Sequence, residues 1–438
     1  MTKILATIGP VSDGKRLKFI VKRTQLIRFN TSHNSLKWHE QNINQIKKID
    51  PNKLILVDIP GIKPRTSNIK SIQIKKGAIV KFSNRKKAKN IIQLSNPTPK
   101  IKKKTKYFSL SDGTYQFRFK SFKNNILSGV SLQNFNLEPK KGLNIPFSIY
   151  NNYLQEKKYL SFLKKINKFN FDCLGLSFIQ NAKILTTLKK KYPEKIFISK
   201  IENYLGYVNR KEIIKYSDAI MIDRGDLSAE IGISNLTEYV ENIIKDAKAI
   251  GKPIIIATEN LNSLISKNLP NKSDITNIDY YIFKKIDYLM LSDETATSKN
   301  WKNTIQWLSV YLKQKRNKAK VSKSISIEQI IKTLENQTLV IFSKKGYFYE
   351  KISSLDISNL VVFTENKNLC KKIKLKKNSQ SIYIKFPKKN LYNFLFKNIK
   401  KNKEKIFKNH KTAYLTNVIF PRKDSRANSI SIIKKNDF

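Results

Sequence analysis

Ala219-Ile220-Met221-Ile222 is followed by Asp223-Arg224-Gly225-Asp226, then by Leu236, Val240, Ile243, Ile244 and Ala247 amid polar residues, then by Gly251 and Pro253-Ile254-Ile255-Ile256-Ala257. The two short apolar runs have the length and composition of buried strands. The middle set recurs at helical spacing, and Gly251 and Pro253 are stop signals. The stretch therefore predicts strand, helix and strand, with charged residues gathered just beyond the first strand.

Working outward, comparable runs occur at 3–8, 25–29, 54–58, 173–177, 196–199 and 288–291. With 219–222 and 253–257 they make eight, separated by helical stretches. This alternation predicts an α/β fold, a (β/α)8 TIM barrel of parallel strands. One interval is too long, since more than a hundred residues separate the third and fourth runs. Its part 67–142 lacks helical periodicity and carries the turn signals Ser111-Asp112-Gly113-Thr114, Ser128-Gly129 and Lys140-Lys141-Gly142. It reads as an inserted β-rich lid, a small β-barrel domain. Removing it leaves 244 residues, 1–66 and 143–320, close to the ~250 of an ordinary barrel. From 321 to 438 a helical lead-in and short strands near 338–343, 360–364, 382–384, 413–415 and 429–433 predict a C-terminal α/β domain. Its Lys/Asn-rich part, 386–411, reads as a solvated basic helix.

The 438 residues carry a formal net charge of +54, which brings polyanionic partners to mind. Of the 86 basic residues, however, 75 are Lys and 11 Arg. Arg is the residue suited to bidentate phosphate and base contacts. The excess is spread along the chain together with Ile and Asn, residues with A/T-rich codons, so base composition explains it and no specific nucleic-acid partner is expected. Cys173 and Cys370 are too few and too far apart for a disulfide framework or a metal site, and fit a reducing compartment. No run approaches ~18 apolar residues and the N-terminal run is too short for a signal peptide. A soluble, cytoplasmic chain without membrane partner is expected.

Barrel enzymes gather their chemistry at the C-terminal ends of the strands. Here those ends read Arg28-Phe29-Asn30-Thr31-Ser32-His33, Asp58, Lys200-Ile201-Glu202, Arg224-Gly225-Asp226, Thr258 and Ser292. Alternation along a strand puts Arg28, Asn30 and Ser32 on one face, and Lys200 with Glu202 likewise. Glu202 and Asp226 from neighbouring strands would supply the few hard oxygen ligands that Mg2+ prefers. Lys200 beside them would stabilise a phosphoryl group or an enolate oxygen. An ordinary strand-end ion pair would explain Lys200 and Glu202 alone, but not six strand ends with matching polar groups. Gly9 to Arg16 mimics a phosphate-binding loop, yet Arg16 stands where Ser or Thr must reach Mg2+.

Taken in order, these motifs resemble the pyruvate kinase family. The match is carried by Thr7-Ile8-Gly9-Pro10, by Arg28 to His33, by Ser199-Lys200-Ile201-Glu202-Asn203, by Arg224-Gly225-Asp226-Leu227, by Ala257-Thr258 and by Glu294-Thr295-Ala296. The resemblance implies Mg2+-dependent phosphoryl transfer from phosphoenolpyruvate to ADP, the last step of glycolysis, by a homotetramer. It implies that Arg28 contacts the transferring phosphate and Lys200 stabilises the transition state. Glu202 and Asp226 would bind Mg2+, and Gly225, Asp226 and Thr258 the substrate, with Thr258 a candidate for protonating the enolate through a water. Arg65, Lys141 and His33 would meet the nucleotide, and Asn30, Ser32 and Asp58 a monovalent cation.

The chain departs from the family pattern at several points. Ile59, Pro60 and Lys63 stand where many members have Thr, Lys and Glu, though one branch also has Lys at the last position. The Lys63 ammonium is expected to replace K+ at the monovalent-cation site, making K+ dispensable. Asp223 replaces a small residue and adds a carboxylate near the metal. Ser228, Glu259, Lys272, Asp274 and Asn277 also depart, the last three on a subunit-contact helix. Two rival readings are a lyase on the same type of barrel, which would need no ADP site, and a non-catalytic remnant binding RNA through its charge.

Overall fold

The computed structural model describes residues 2–85, 88, 90–102, 105–318, 337–355, 357, 359–387, 391–407, 411–417 and 429–438. Eight parallel strands close into a barrel: β1 Lys3–Thr7, β2 Leu26–Asn30, β3 Leu54–Ile59, β4 Cys173–Leu176, β5 Ile196–Ile201, β6 Ala219–Asp223, β7 Ile254–Ala257 and β8 Tyr288–Leu291. Each pairs with its sequence neighbours, and β1 pairs with β8 through Lys3 opposite Tyr288. Alternate residues serve two cores. Leu5, Leu26, Leu56, Ile198, Met221, Ile255 and Met290 fill the interior, while Ile4, Ile27, Val57, Phe197, Ile220 and Leu289 pack outward against the helices. Strands covered on both faces read as continuous apolar runs, which is why they stood out in the sequence.

The helix Leu236–Ala249 buries Val240, Ile243, Ile244 and Ala247, the stripe its spacing predicts. It ends at Gly251, which has a φ of +69°, and a Cβ there would lie 2.4 Å from Ser353 of the C-terminal domain. Glycine thus serves both the left-handed turn and a close interdomain approach.

The insertion is β throughout. Its six-stranded sheet runs in the order Leu143–Asn144, Tyr107–Leu110, Tyr115–Lys123, Ile126–Ser131, Ile79–Ser83, Ile91–Gln93, beside a ladder of Ile72–Ile74 with Phe135–Leu137. Phe82, Phe108 and Phe117 centre its core. Residues 64–67 bond to both edges of this sheet, Thr66 N–H to the Lys141 carbonyl at 2.9 Å and Ser67 N–H to the Gln93 carbonyl at 2.8 Å, which closes it into the small barrel expected. It also continues one strand past residue 142, the expected limit. The two crossings to the barrel lie side by side, with Arg65 bridging Gly142.

The C-terminal domain is a five-stranded sheet ordered Ser379–Tyr383, Asn359–Thr364, Thr338–Phe342, Thr412–Asn417, Ser429–Lys434, with only the last strand antiparallel. Residues 319–336, where most of the helical lead-in was expected, lie outside the described residues. Within 386–411 the helices Leu391–Lys401 and Lys403–Phe407 bury Ile399, Ile406 and Phe407 against the sheet, so this stretch is not merely a solvated basic helix. The sparse apolar residues were hidden among Lys and Asn.

Candidate active site

The strand ends open into a cleft of about 720 Å3, lined by Arg28, Asn30, Ser32, His33, Lys63, Arg65, Lys200, Glu202, Asp226, Thr258 and Ser292 among others. Arg28, the middle residue of β2, is buried. Its Nε and Nη2 donate to Asp58 Oδ2 at 2.9 and 2.8 Å, and Nη1 to Thr7 Oγ1 at 3.0 Å. Three of its five N–H donors are thereby fixed, leaving two for a ligand. Asp58 also accepts from Ser177 Oγ at 3.0 Å. Burial alone would raise the Asp58 carboxyl, but Lys200 and Arg28 together hold it below its usual value.

Lys200 continues the inward face of β5 from Ile198. Its Nζ lies 3.2 Å from Asp58 Oδ2, 3.1 Å from Glu202 Oε2 and 3.4 Å from Asp223 Oδ2, and donates to Ser177 Oγ at 3.3 Å. Burial disfavours the ammonium, but the three carboxylates outweigh it and raise its pKa. The three carboxylates therefore favour Lys200 as the ammonium.

Glu202 accepts the Phe178 backbone N–H at 2.7 Å through Oε1. Its buried Oε2 accepts no hydrogen bond, the Lys200 ammonium lying off hydrogen-bond geometry. Burial raises the Glu202 carboxyl well above the ordinary range. One carboxylate oxygen each from Glu202, Asp223 and Asp226 lies within 4.8 Å of the others. An orphaned buried oxygen within a set of hard donors fits a divalent cation.

Thr258 sits just past β7 with a φ of +62°. Its hydroxyl accepts Gly225 N–H at 3.0 Å and donates to the Ala257 carbonyl at 2.7 Å. Arg224 braces the same loop through the carbonyl of Thr258 and, at 3.2 Å, Asn260 Oδ1.

Lys63 lies elsewhere than expected. Its ammonium contacts Asp226 Oδ1 and, at 2.8 Å, Asp112 Oδ1 of the insertion, rather than Asn30, Ser32 or Asp58. The reason is electrostatic: Arg28 and Lys200 already neutralise Asp58, and Asn30 Oδ1 accepts the Ser32 N–H at 3.1 Å, whereas Asp226 and Asp112 present two carboxylates.

This arrangement has relatives. The family model for the pyruvate kinase barrel domain matches residues 1–305. The chain belongs to the pyruvate kinase family. It is 31% identical over 313 residues to the pyruvate kinase of Thermococcus litoralis, covering 68% of this chain and 66% of that one. It is 30% identical over 342 residues to the pyruvate kinase of Thermotoga maritima, covering 75% and 73%. A crystal structure of a pyruvate kinase from Cryptosporidium parvum shares the fold, with a TM-score of 0.82 at 21% identity over 99% of this chain and 96% of that one.

Of the residues read from the pyruvate kinase pattern, the structure gathers Arg28, Asn30, Ser32, His33, Asp58, Lys200, Glu202, Asp226 and Thr258 around one opening. Gly225 joins them through its N–H on Thr258. Arg65 lies at the rim, donating to the Lys140 carbonyl at 3.2 Å. Lys141 is not among the cleft-lining residues; its backbone N–H donates to Thr66 Oγ1 at 3.1 Å. Ser177, Asp112 and Lys158 were missed. Ser177 was readable as the polar end of its run. Asp112 carried only turn chemistry, and Lys158 was one Lys among many.

Proposed function

We propose that this chain transfers the phosphoryl group of phosphoenolpyruvate to ADP, giving pyruvate and ATP. The observation that carries the reading is the Lys200 ammonium, held with Arg28 over Asp58 beside Glu202 and Asp226. A bound Mg2+, held by Glu202 and Asp226, would supply Lewis-acid polarisation and neutralise phosphate charge.

The chain's own groups divide the remaining work. Arg28 directs its two remaining donors at the transferring phosphoryl oxygens, and Lys200 stabilises charge that grows in the transition state. Gly225 and Thr258 hold the substrate carboxylate at the end of β7. The enolate takes its proton through the Thr258 hydroxyl and a water. Arg65 and His33 form the nucleotide side, and the insertion closes over it to keep water out. Asn30, Ser32 and Asp58, already bonded within the chain, need no monovalent cation, and Lys63 supplies a positive charge to the same cleft from the Asp226 side. The enzyme works as a cytoplasmic homotetramer. Among the described residues, no helix is long and apolar enough to cross a membrane.

A coupled assay with phosphoenolpyruvate, ADP and Mg2+ tests the reading, with pyruvate and ATP formation expected in buffer with or without K+. Strong K+ stimulation would remove the role given to Lys63. Pyruvate formation without ADP, with release of inorganic phosphate, would mean that water is the acceptor and would overturn the kinase reading.

A further inference from the structure

Asp223 ends β6, lines the cleft and has a side chain only 9% exposed. It does not cap the helix that follows, and Lys200, 3.4 Å away, is its ion-pair partner. That ammonium is also shared with Asp58 and Glu202. A buried carboxylate is costly unless a cation or hydrogen-bond donors compensate it. Arg28 settles Asp58, but one ammonium is left to serve both Glu202 and Asp223. Meanwhile Asp226 Oδ1 is occupied by Lys63 and faced by Asn144 Nδ2 at 3.4 Å. One of the two carboxylates that would hold the metal is thus partly withheld, while an additional one stands beside it.

We infer that Asp223 is a direct ligand of the divalent cation, so that this chain holds its metal with Glu202, Asp223 and Asp226 where the family pattern offers two carboxylates. The inference deepens the proposed function and rests on its reading of the site as a divalent-metal site. The geometry is close to what is needed. Octahedral coordination at about 2.0–2.1 Å places ligand oxygens roughly 3–4.2 Å apart, against the 4.8 Å that contains the three oxygens here. Small side-chain rotations close the gap, and the orphaned Glu202 Oε2 gains its missing partner. Three carboxylates also hold the ion before substrate arrives, and the extra negative charge offsets the Lys63 ammonium on Asp226.

The test is Mn2+ binding to the full-length protein without substrate or nucleotide, followed by electron paramagnetic resonance of the free ion. Asp223→Ala and Asp223→Asn are each expected to weaken binding by about tenfold or more. Lys63→Met, which releases Asp226, is expected to restore much of the loss in the Asp223→Ala background, a non-additive result. Thermal melting establishes that each variant is folded, and Asp223→Asn keeps the side-chain volume should the alanine variant fail. Unchanged or tighter Mn2+ binding in both Asp223 variants would overturn the inference and leave Asp223 as a counter-charge for Lys200. The absence of Mn2+ binding in the wild type would overturn it as well. Asp223-dependent binding without turnover of phosphoenolpyruvate would uphold the inference while refuting the proposed function, so the two failures are distinct.

Discussion

Glu230 lies fully buried, four residues past Asp226, accepting from Asn144 Nδ2 at 3.1 Å and from the Tyr150 hydroxyl at 2.9 Å. Burial pushes its carboxyl up to about 8, from an ordinary 4.5. The native state therefore keeps a proton that the unfolded chain gives up as pH rises past about 4.5. This contribution to stability is complete below pH 4.5 and is lost as pH rises to about 8. Glu230→Gln removes the titration. In chelator-treated protein its melting temperature is predicted to lie near wild type at pH 5 and a few degrees above it at pH 8.5; a difference independent of pH would contradict the assignment. Nothing in the sequence marked Glu230. Lys200 and Glu202 were readable because their i, i+2 spacing fixes a shared face. The destination of Lys63 was not, because its partners Asp112 and Asp226 are 49 and 163 residues away.

At the scale of elements, the insertion meets the barrel through the turn at Ser111 and Asp112, both with positive φ, followed by Gly113. The turn delivers Asp112 to Lys63. Asp112 keeps a side chain 58% exposed, so solvent screens the pair and its worth is modest. Asp112→Asn is predicted to raise KM for ADP by about fivefold at most, with kcat little changed, and to speed tryptic cleavage within the insertion. Unaltered KM and cleavage would show that the contact does not hold the lid. The barrel strands were legible because both faces are apolar, and the insertion because its turn residues interrupt any helical period. The helices at 391–407 were misread, since Ile399, Ile406 and Phe407 are sparse among lysines.

For the molecule as a whole, the C-terminal domain docks at the N-terminal mouth of the barrel, opposite the cleft. Leu375, at the end of the helix Lys367–Leu375, joins the interior cluster with Leu5, Leu26 and Tyr288. Lys371 and Lys372 pair with Asp172 at 3.1 Å and Asp218 at 2.7 Å, and Lys3 donates to the carbonyl of Lys374 at 2.7 Å. Burial lowers the Lys3 ammonium to about 8. No periodicity could announce this plug, because a single side chain performs it across the domain boundary. Leu375→Ala is predicted to cost about 2–5 kcal/mol in urea unfolding, whereas a change below about 0.5 kcal/mol would mean that the barrel end is closed without it.

The central claim, transfer of phosphate to ADP beside a fixed Lys200 charge, is tested most directly by 31P nuclear magnetic resonance of the protein with phosphoenolpyruvate, ADP and Mg2+. The predicted result is loss of the phosphoenolpyruvate signal matched by growth of the ATP γ-phosphate, slowed about 10²–10³-fold in Lys200→Met. Growth of inorganic phosphate instead, no loss of signal in the folded wild type, or an undiminished rate in Lys200→Met would contradict it.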